Sequence, residues 1–322
     1  MTAESDDALG WRGPLLATTL GMVVAVGLLE WGARSRPPDR VQVVDLDSVD
    51  AEVVDGVPIW RSAQSTPERM GTACSGKPEV VLAGSSIFFG SGVDDGQSLR
   101  PLLAERLSGA CVRSVAEPGY TFFNQRAALS RHLAESTPRI VVWEVWRNSP
   151  NRWSLVDGVA YNFGYEALDT HDLPSPFGLS AGPHRQLFTW LATYRHLVIS
   201  RLDSSGVRWD VVWKAFVADE LGPEVAKLQS RGITVVLAFM PPLHQPFQDT
   251  LAETSDPYQV VRAELAGKVQ MVTVAEGLAA RNADVEAVRV DTCCHFAPSG
   301  NALVADVLAD VLQPMLAGPS SP

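Results

Sequence analysis

Basic side chains are scarce in this chain of 322 residues, because 26 Lys and Arg stand against 37 Asp and Glu, for a formal net charge of −11. A nucleic-acid-binding protein presents a basic face to the phosphate backbone, so the charge argues against that class. The glycine-rich phosphate motifs GxxxxGK[ST] and GxGxxG are missing, and no internal repeat occurs. Hydrophobic residues still make up 46% of the chain, which is enough for a sizeable folded core.

Long apolar runs are also missing, except at residues 14–31, PLLATTLGMVVAVGLLEW. A single run of this kind excludes a multi-span membrane protein. A spanning helix needs about 17–25 apolar residues, so the run predicts one transmembrane anchor at 13–33, with the lipid bilayer as a partner through 14–31. A cleaved signal peptide and a buried core helix are the alternatives.

The orientation of this anchor is ambiguous. Arg34, Arg36 and Arg40 follow the apolar run, and the positive-inside rule would then place the rest of the chain in the cytoplasm. That rule weakens for long translocated domains, so we expect the body of the protein to be periplasmic or extracellular. A body that faces the cytoplasm is the alternative.

The remainder of the chain alternates between strand and helix patterns. Apolar, β-branched runs predict strands at 79–83, 111–116, 140–145 and 233–240, with 285–290 as a fifth. Amphipathic patterns predict helices at 98–107, 122–134, 186–201, 211–229 and 300–312. This alternation predicts an α/β fold, a three-layer α/β/α sandwich with a mostly parallel sheet.

Composition also predicts the domain limits. The segment 34–72 is acidic and lacks clear periodicity, but Asp55-Gly56 is a hairpin turn signal. We expect an N-terminal tail at 1–12, the anchor, a linker and N-terminal extension at 34–72, one domain at 73–315 with an insertion at about 151–230, and a disordered tail at 316–322.

Small polar residues follow the first three predicted strands, where the sites of parallel sheets form. Ser86 follows Gly84 and Ser85 after the first strand, and a plain loop or a phosphate-binding turn is the alternative. Gly119 follows the second strand and Asn148 the third. A backbone N–H at the glycine and the carboxamide of the asparagine are both suitable donors to an oxyanion.

Asp291 and His295 precede the last predicted helix. A histidine oriented by a carboxylate can act as the general base for a serine, so this pair suits nucleophilic catalysis. The alternative is a zinc site that also uses Cys293 and Cys294. Adjacent Cys-Cys-His is poor spacing for tetrahedral zinc, so no metal and no cofactor are expected.

Together, four segments resemble the four blocks of the SGNH (GDSL-like) hydrolases, of the membrane-anchored bacterial type, over residues 78–312. The segments are LAGSSIFFGSGV, SVAEPGY, EVWRNS and DTCCHFAPSGNALVADVL. The resemblance implies an SGNH or flavodoxin-like fold, with Ser86 as the nucleophile and His295 and Asp291 completing the triad. It also implies an oxyanion hole of the Ser86 and Gly119 backbone N–H groups and the Asn148 side chain.

Several positions depart from the family pattern, although every side chain needed for the chemistry is present. The Asp–His spacing is four residues, where three is usual. The unusual residues are Ser85 for Asp in the first block, Ser114 and Ala116 for Asn and Gly in the second, and Trp146 and Ser149 for Gly and Asp in the third.

The resemblance implies a membrane-anchored serine esterase or deacetylase that hydrolyses a carboxylic ester, such as an acyl group on a glycan or lipid, through an acyl-enzyme. The alternatives are an O-acyltransferase, or a non-catalytic glycan-binding or accessory module of an envelope polysaccharide-modifying system. His244, Tyr120 and Trp146 are candidate pocket residues. The sequence predicts no particular protein partner.

The four cysteines suit an exported protein. Cys74 precedes the first strand and Cys111 opens the second, and adjacent parallel strands would bring these starts together, so we expect a Cys74–Cys111 disulfide. Cys293 and Cys294 are adjacent, and we expect them to stay free, with a strained vicinal disulfide as the alternative.

Overall fold

The computed structural model describes residues 12–35, 42–147, 149–151, 153–156, 159–162, 179, 183, 186–187, 190–194, 197, 209–250 and 257–317. The chain divides into two compact units, one of residues 1–41 and 167–207 and the other of residues 42–166 and 208–322.

The first unit contains the long helix α1 (Arg12–Ser35), which covers the span predicted at 14–31. Its Glu30 carboxylate accepts hydrogen bonds from the backbone N–H groups of Ala192 (2.7 Å) and Thr193 (3.1 Å). Within the described ranges, no helix combines the length and the apolar character that crossing a membrane requires. The predicted transmembrane span is therefore not supported.

The second unit begins with three short strands, β1 (Gln42–Asp45), β2 (Asp50–Val54) and β3 (Val57–Arg61), and a helical turn, α2 (Pro67–Met70). β2 and β3 form an antiparallel hairpin. The two residues between them have left-handed backbones, with φ of 51° at Asp55 and 78° at Gly56, as a two-residue hairpin turn requires. The turn predicted at Asp55-Gly56 is confirmed.

The α/β part of this unit follows. Its elements are β4 (Glu79–Ala83), α3 (Ser86–Phe89), α4 (Leu99–Arg106), β5 (Cys111–Ser114), α5 (Phe122–Glu135), β6 (Ile140–Val145), β7 (Trp153–Val156), β8 (Val159–Asn162), α6 (Trp209–Phe216), α7 (Gly222–Ser230), β9 (Thr234–Phe239), α8 (Phe247–Thr250), α9 (Pro257–Leu265), β10 (Gln270–Thr273), α10 (Val274–Ala280), α11 (Val285–Val288) and α12 (Pro298–Ala317).

Five of these strands form a parallel sheet in the order β10-β9-β6-β4-β5. The chain winds outward in both directions from β4, so a crevice opens between the carboxyl ends of β4 and β6. β1, β8 and β7 form a separate antiparallel sheet, which joins the N-terminal extension to the insertion. The predicted α/β fold with a parallel sheet is confirmed.

Helices cover both faces of the parallel sheet. On β4, Val80 and Leu82 face one apolar cluster, while Val81 and Ala83 face another, because side chains alternate along a strand. α4 and α12 contribute to the first cluster, and α5, α6 and α7 to the second. All five residues of β4 are therefore buried between the two helical layers.

One strand was assigned wrongly from the sequence. Residues 285–290 were expected to form the fifth strand, but Val285–Val288 is a helical turn that begins at Asp284, whose Oδ1 accepts a hydrogen bond from the backbone N–H of Glu286 (3.1 Å). Val285 and Val288 are three residues apart and both buried, as on one face of a helix. The fifth strand is β10, which has only four residues.

Both cysteine pairs are bonded. The predicted Cys74–Cys111 disulfide is present and joins the segment before β4 to the start of β5. The expectation that Cys293 and Cys294 stay free is wrong, because they form a vicinal disulfide. Both residues lie in a tight turn in which their backbone N–H groups donate to the same oxygen, Oδ1 of Asp291.

Candidate active site

Ser86 occupies the first position of α3, immediately after the turn that ends β4. Ser85 has an extended backbone and caps the helix with its side chain. At Gly84 a Cβ atom would lie 2.7 Å from Oε2 of Glu144, so only glycine fits there. Ser86 is the one residue between 79 and 90 that is not buried. The turn therefore presents this hydroxyl at the carboxyl edge of the sheet.

His295 lies between Ser86 and Asp291 in one chain of hydrogen bonds. Its Nε2 is 2.9 Å from Oγ of Ser86, and its Nδ1 is 2.5 Å from Oδ2 of Asp291. An ionised carboxylate only accepts hydrogen bonds, so Nδ1 carries the proton in the neutral imidazole. Nε2 is then an acceptor, and the Ser86 hydroxyl donates to it, which is the arrangement that a general base needs.

Asp291 is held in its charged form. Its Oδ1 accepts hydrogen bonds from the backbone N–H groups of Cys293 (2.9 Å), Cys294 (3.0 Å) and His295 (3.3 Å). Partial burial alone would raise its pKa, but the hydrogen bonds from the His295 ring and from the backbone lower the pKa of Asp291 to about 2. The four-residue spacing is thus accommodated by a turn wrapped around the carboxylate.

The same turn brings together the side chains considered for zinc. Ligand atoms of Asp291, Cys294 and His295 lie within 4.8 Å of one another. However, the Cys294 sulfur is in a disulfide and is no thiolate, and Asp291 Oδ2 is hydrogen-bonded to His295 Nδ1. Each of these atoms already has a partner, so the group does not fit a zinc site.

Gly119 lies in the turn after β5, with a left-handed φ of 83°. The turn is closed by a hydrogen bond from the Tyr120 N–H to the Glu117 carbonyl (3.2 Å). A Cβ atom on Gly119 would lie 3.4 Å from a ring carbon of Trp153 and 3.4 Å from one of Trp60. The left-handed backbone favours glycine at the position predicted for an oxyanion donor, while the two rings lie at van der Waals distance.

Asn148 lies outside the described residues, but its neighbours define a tight turn after β6. The Trp146 N–H donates to Oγ of Ser149 (2.9 Å), and the Ser149 N–H donates to the Trp146 carbonyl (2.7 Å). The Phe122 N–H, at the start of α5, donates to the Ser149 carbonyl (3.0 Å). Ser149, a departure from the family pattern, therefore closes a turn onto Trp146 at the end of β6.

The three candidate pocket residues differ in exposure. Tyr120 is buried, and its hydroxyl donates to the Trp60 carbonyl (2.8 Å). Trp146 is also buried and packs in the core cluster that includes Leu243. His244 is exposed in the segment between β9 and α8. Tyr120 and Trp146 pack in apolar clusters and His244 is exposed, and a pocket role stays a prediction for all three.

Sequence reasoning missed Glu144, which lies directly beneath the Ser86 turn. This β6 residue is 1% exposed. Its Oε2 accepts hydrogen bonds from the backbone N–H groups of Ser85 (2.9 Å) and Phe88 (3.0 Å), and its Oε1 accepts one from the Ser85 hydroxyl. Burial raises the pKa of Glu144. A lone carboxylate in the apolar run IVVWEV was the available signal.

The chain matches no known family model and no curated protein. Among solved structures it is similar to TesA, with a TM-score of 0.44 and 19% identity over 74% of this chain and 99% of that chain. The lipase/acylhydrolase from Enterococcus faecalis has a TM-score of 0.45 and 13% identity, over 74% of this chain and 96% of that chain. The psychrotrophic esterase EstA from Pseudoalteromonas sp. has a TM-score of 0.41 and 12% identity, over 75% of this chain and 100% of that chain. Likeness at this level carries no argument about activity, and the chemistry depends on the side chains described above.

Proposed function

We propose that this chain is a serine hydrolase of the SGNH type, which cleaves carboxylic esters through an acyl-enzyme. One observation carries the proposal: Ser86, His295 and Asp291 form a continuous hydrogen-bonded chain, with an ionised carboxylate at its far end. The residues come from the start of α3 and from the loop before α12, which are 209 positions apart in the sequence. Nucleophile, base and orienting acid are the three groups that acyl transfer by serine requires.

In the first half of the reaction, Oγ of Ser86 attacks the ester carbonyl carbon while its proton passes to Nε2 of His295. The negative charge on Asp291 stabilises the imidazolium that forms. The tetrahedral intermediate then collapses, the bond to the leaving alcohol breaks, and His295 gives its proton to the departing oxygen. In the second half, His295 takes a proton from water as the water oxygen attacks the carbonyl carbon of the acyl-Ser86 ester. The bond from that carbon to Oγ of Ser86 then breaks, His295 returns the proton to Oγ, and the acid is released.

The oxyanion is stabilised in this proposal by the backbone N–H groups of Ser86 and Gly119 and by the Asn148 side chain. The first stands at a helix start and the second in a left-handed turn, both at the carboxyl edge of the sheet. Loss of one such donor typically lowers the rate by about 10²–10³-fold.

The substrate class in this proposal is an acyl ester on a glycan or lipid. If a sugar hydroxyl intercepted the acyl-enzyme in place of water, the same groups would act as an O-acyltransferase. Product analysis with and without an added polyol acceptor separates the two, since only transfer gives acylated polyol. A non-catalytic accessory module has no need of the bonded Ser86–His295–Asp291 chain, so this geometry favours an enzyme.

We also propose that the enzyme acts outside the cytoplasm, in association with lipid. The Cys74–Cys111 disulfide supports an oxidising compartment. Large apolar side chains of α1 are more than half exposed, among them Met22, Leu28 and Trp31, which supports contact with an apolar phase. Fractionation of cells that express the full chain or a chain lacking residues 1–35 tests this placement, and recovery of both chains in the soluble cytoplasmic fraction would overturn it.

The hydrolase proposal is tested by the rate of p-nitrophenyl acetate hydrolysis in Ser86→Ala. Ser91→Ala is the matched control, because Ser91 lies on the same loop and its N–H donates to the Ser86 carbonyl through the backbone alone. Ser86→Ala should lose at least about 10³-fold in kcat, while Ser91→Ala should stay within a few-fold of the unmodified protein. Full activity in Ser86→Ala refutes the mechanism.

A further inference from the structure

Trp60 contacts the oxyanion loop, by which we mean the turn of residues 117–120 that contains the proposed donor Gly119. Trp60 itself lies outside the part of the chain that resembles the hydrolases. It lies on β3, in the N-terminal extension, and is 5% exposed. Its indole Nε1 donates a hydrogen bond to the Pro118 carbonyl (3.2 Å). Its own backbone is fixed by Tyr120, whose hydroxyl donates to the Trp60 carbonyl (2.8 Å) and accepts from the Trp60 N–H (3.1 Å).

The carbonyl that Trp60 holds belongs to the same peptide unit as the Gly119 N–H. A peptide unit is planar, and no described residue has a cis bond. In a trans unit the carbonyl and the N–H point in opposite directions. The hydrogen bond from Trp60 on one side therefore sets the direction of the Gly119 N–H on the other side.

A hydrogen bond at this carbonyl has a second effect. Hydrogen bonds in series polarise one another, so a donor at the Pro118 oxygen makes the Gly119 N–H a stronger donor in turn. The bond is partly buried and its donor, Trp60, is fully buried, so water competes little for the Pro118 carbonyl.

Trp153 makes a similar bond to the adjacent peptide unit. Its Nε1 donates to the Gly119 carbonyl (3.0 Å), and that unit carries the Tyr120 N–H, which is already bonded to the Glu117 carbonyl. The Trp60 and Trp153 rings pack edge to face with centroids 4.9 Å apart. The two indoles thus hold consecutive peptide units, and only the unit held by Trp60 contains the Gly119 N–H.

We propose that Trp60 is a positioning residue for the oxyanion hole, which acts through the Pro118–Gly119 peptide. The inference rests on the proposed function, in which the Gly119 N–H stabilises the oxyanion. The N-terminal extension is then part of the catalytic machinery, because it supplies the donor that aims this N–H.

The test compares Trp60→Phe with Trp153→Phe. Each change removes one indole donor and keeps an aromatic ring. Trp60→Phe should lower kcat for p-nitrophenyl acetate by about 10- to 100-fold, a fraction of the loss from a missing donor, with KM within about twofold. It should weaken inhibition by a trifluoromethyl ketone, which forms a tetrahedral oxyanion on Ser86, by the same factor as kcat. Trp153→Phe should stay within about threefold in both measurements.

Active-site titration with a fluorophosphonate corrects each rate for the fraction of folded enzyme. If Trp60→Phe does not fold, benzothienylalanine at position 60 keeps the bicyclic shape and replaces the N–H by sulfur, and the same losses are expected. Activity that survives in Ser86→Ala would overturn the proposed function. Activity that requires Ser86, with unchanged kcat and inhibition in Trp60→Phe or equal losses in Trp153→Phe, would overturn the role of Trp60 alone.

Discussion

Glu144 accepts a hydrogen bond of 2.9 Å from the backbone N–H of Ser85, the residue that precedes the proposed nucleophile. The carboxylate lies on β6, and the turn it holds follows β4, so the bond crosses the switch point of the sheet. The backbone N–H groups of Ser85 and Phe88 are buried, where water cannot pair with them. Glu144 supplies the acceptor that they would otherwise lack.

Glu144→Ala should destabilise the fold and lower activity together. The change leaves the buried N–H groups of Ser85 and Phe88 without an acceptor, and we expect a loss of about 2–4 kcal/mol in the free energy of unfolding. Glu144→Gln keeps one acceptor oxygen and should lose less. Urea unfolding and kcat measure both effects, and an Ala variant as stable and active as the original would show that the turn does not depend on Glu144.

Asp291→Asn should impair catalysis far more than stability. The Asn oxygen still accepts the backbone hydrogen bonds, but its NH₂ group faces Nδ1 of His295 and favours the wrong tautomer. We expect kcat to fall by on the order of 10²–10⁴-fold, as in serine triads generally. Asp310→Asn, which alters a surface ion pair with Arg281, is the control and should leave kcat unchanged. Equal kcat in both variants would contradict the role of Asp291.

Glu117 should make the fold less stable as the pH rises. Burial raises the pKa of this carboxyl to about 7, although hydrogen bonds from Ser65 and Ser62 offset part of the effect. Between pH 4.5, the ordinary value for Glu, and pH 7, the native state binds more protons than the unfolded state, so stability falls with rising pH across this window. The expected loss is roughly 3 kcal/mol.

Glu117→Gln should remove that slope, because the side chain no longer titrates. Unfolding free energies measured from pH 5 to 8 in urea test this expectation. Glu105→Gln, a change at an exposed position of α4, is the matched control and should keep the slope of the original protein. A Glu117→Gln curve parallel to that of the control would mean that another group sets the dependence.

The two disulfides should differ in their effect on stability. Cys74–Cys111 closes a loop across a sequence separation of 37, and the chain-entropy estimate for such a loop is about 4 kcal/mol. Cys293–Cys294 closes almost no loop. The Cys74→Ala/Cys111→Ala pair should therefore lose a few kcal/mol in unfolding free energy, while Cys293→Ser/Cys294→Ser should lose less than about 1 kcal/mol. The reverse order would contradict this assignment.

Much of the fold was predictable because the central strands are continuous apolar runs. The strands predicted at 79–83 and 140–145 agree with Glu79–Ala83 and Ile140–Val145. The short strand Gln270–Thr273 was missed because its four residues include two polar ones and show no clear period. The segment VEAVRV suited both a strand and a helix, and the Asp284 cap decides for the helix.

The site was predictable only in part, for a related reason. Gly119, Asp291 and His295 lie in loops and Ser86 lies at the start of α3, and the local sequence at each of them carries the family pattern. Trp60 and Glu144 act through contacts with residues 58 and 59 positions away in the chain, and no local pattern marks such contacts. The packing of the N-terminal extension on the oxyanion loop therefore becomes visible only in the folded structure.

The central claim is that Ser86 is a nucleophile activated by His295, and covalent labelling tests it most directly. The full chain is treated with diisopropyl fluorophosphate, and the adduct is counted by intact mass and located by peptide mapping. We predict one adduct per chain, on Ser86, with labelling absent in Ser86→Ala and slowed in His295→Gln. A chain that takes up no label, or that is labelled equally in Ser86→Ala, would contradict the account.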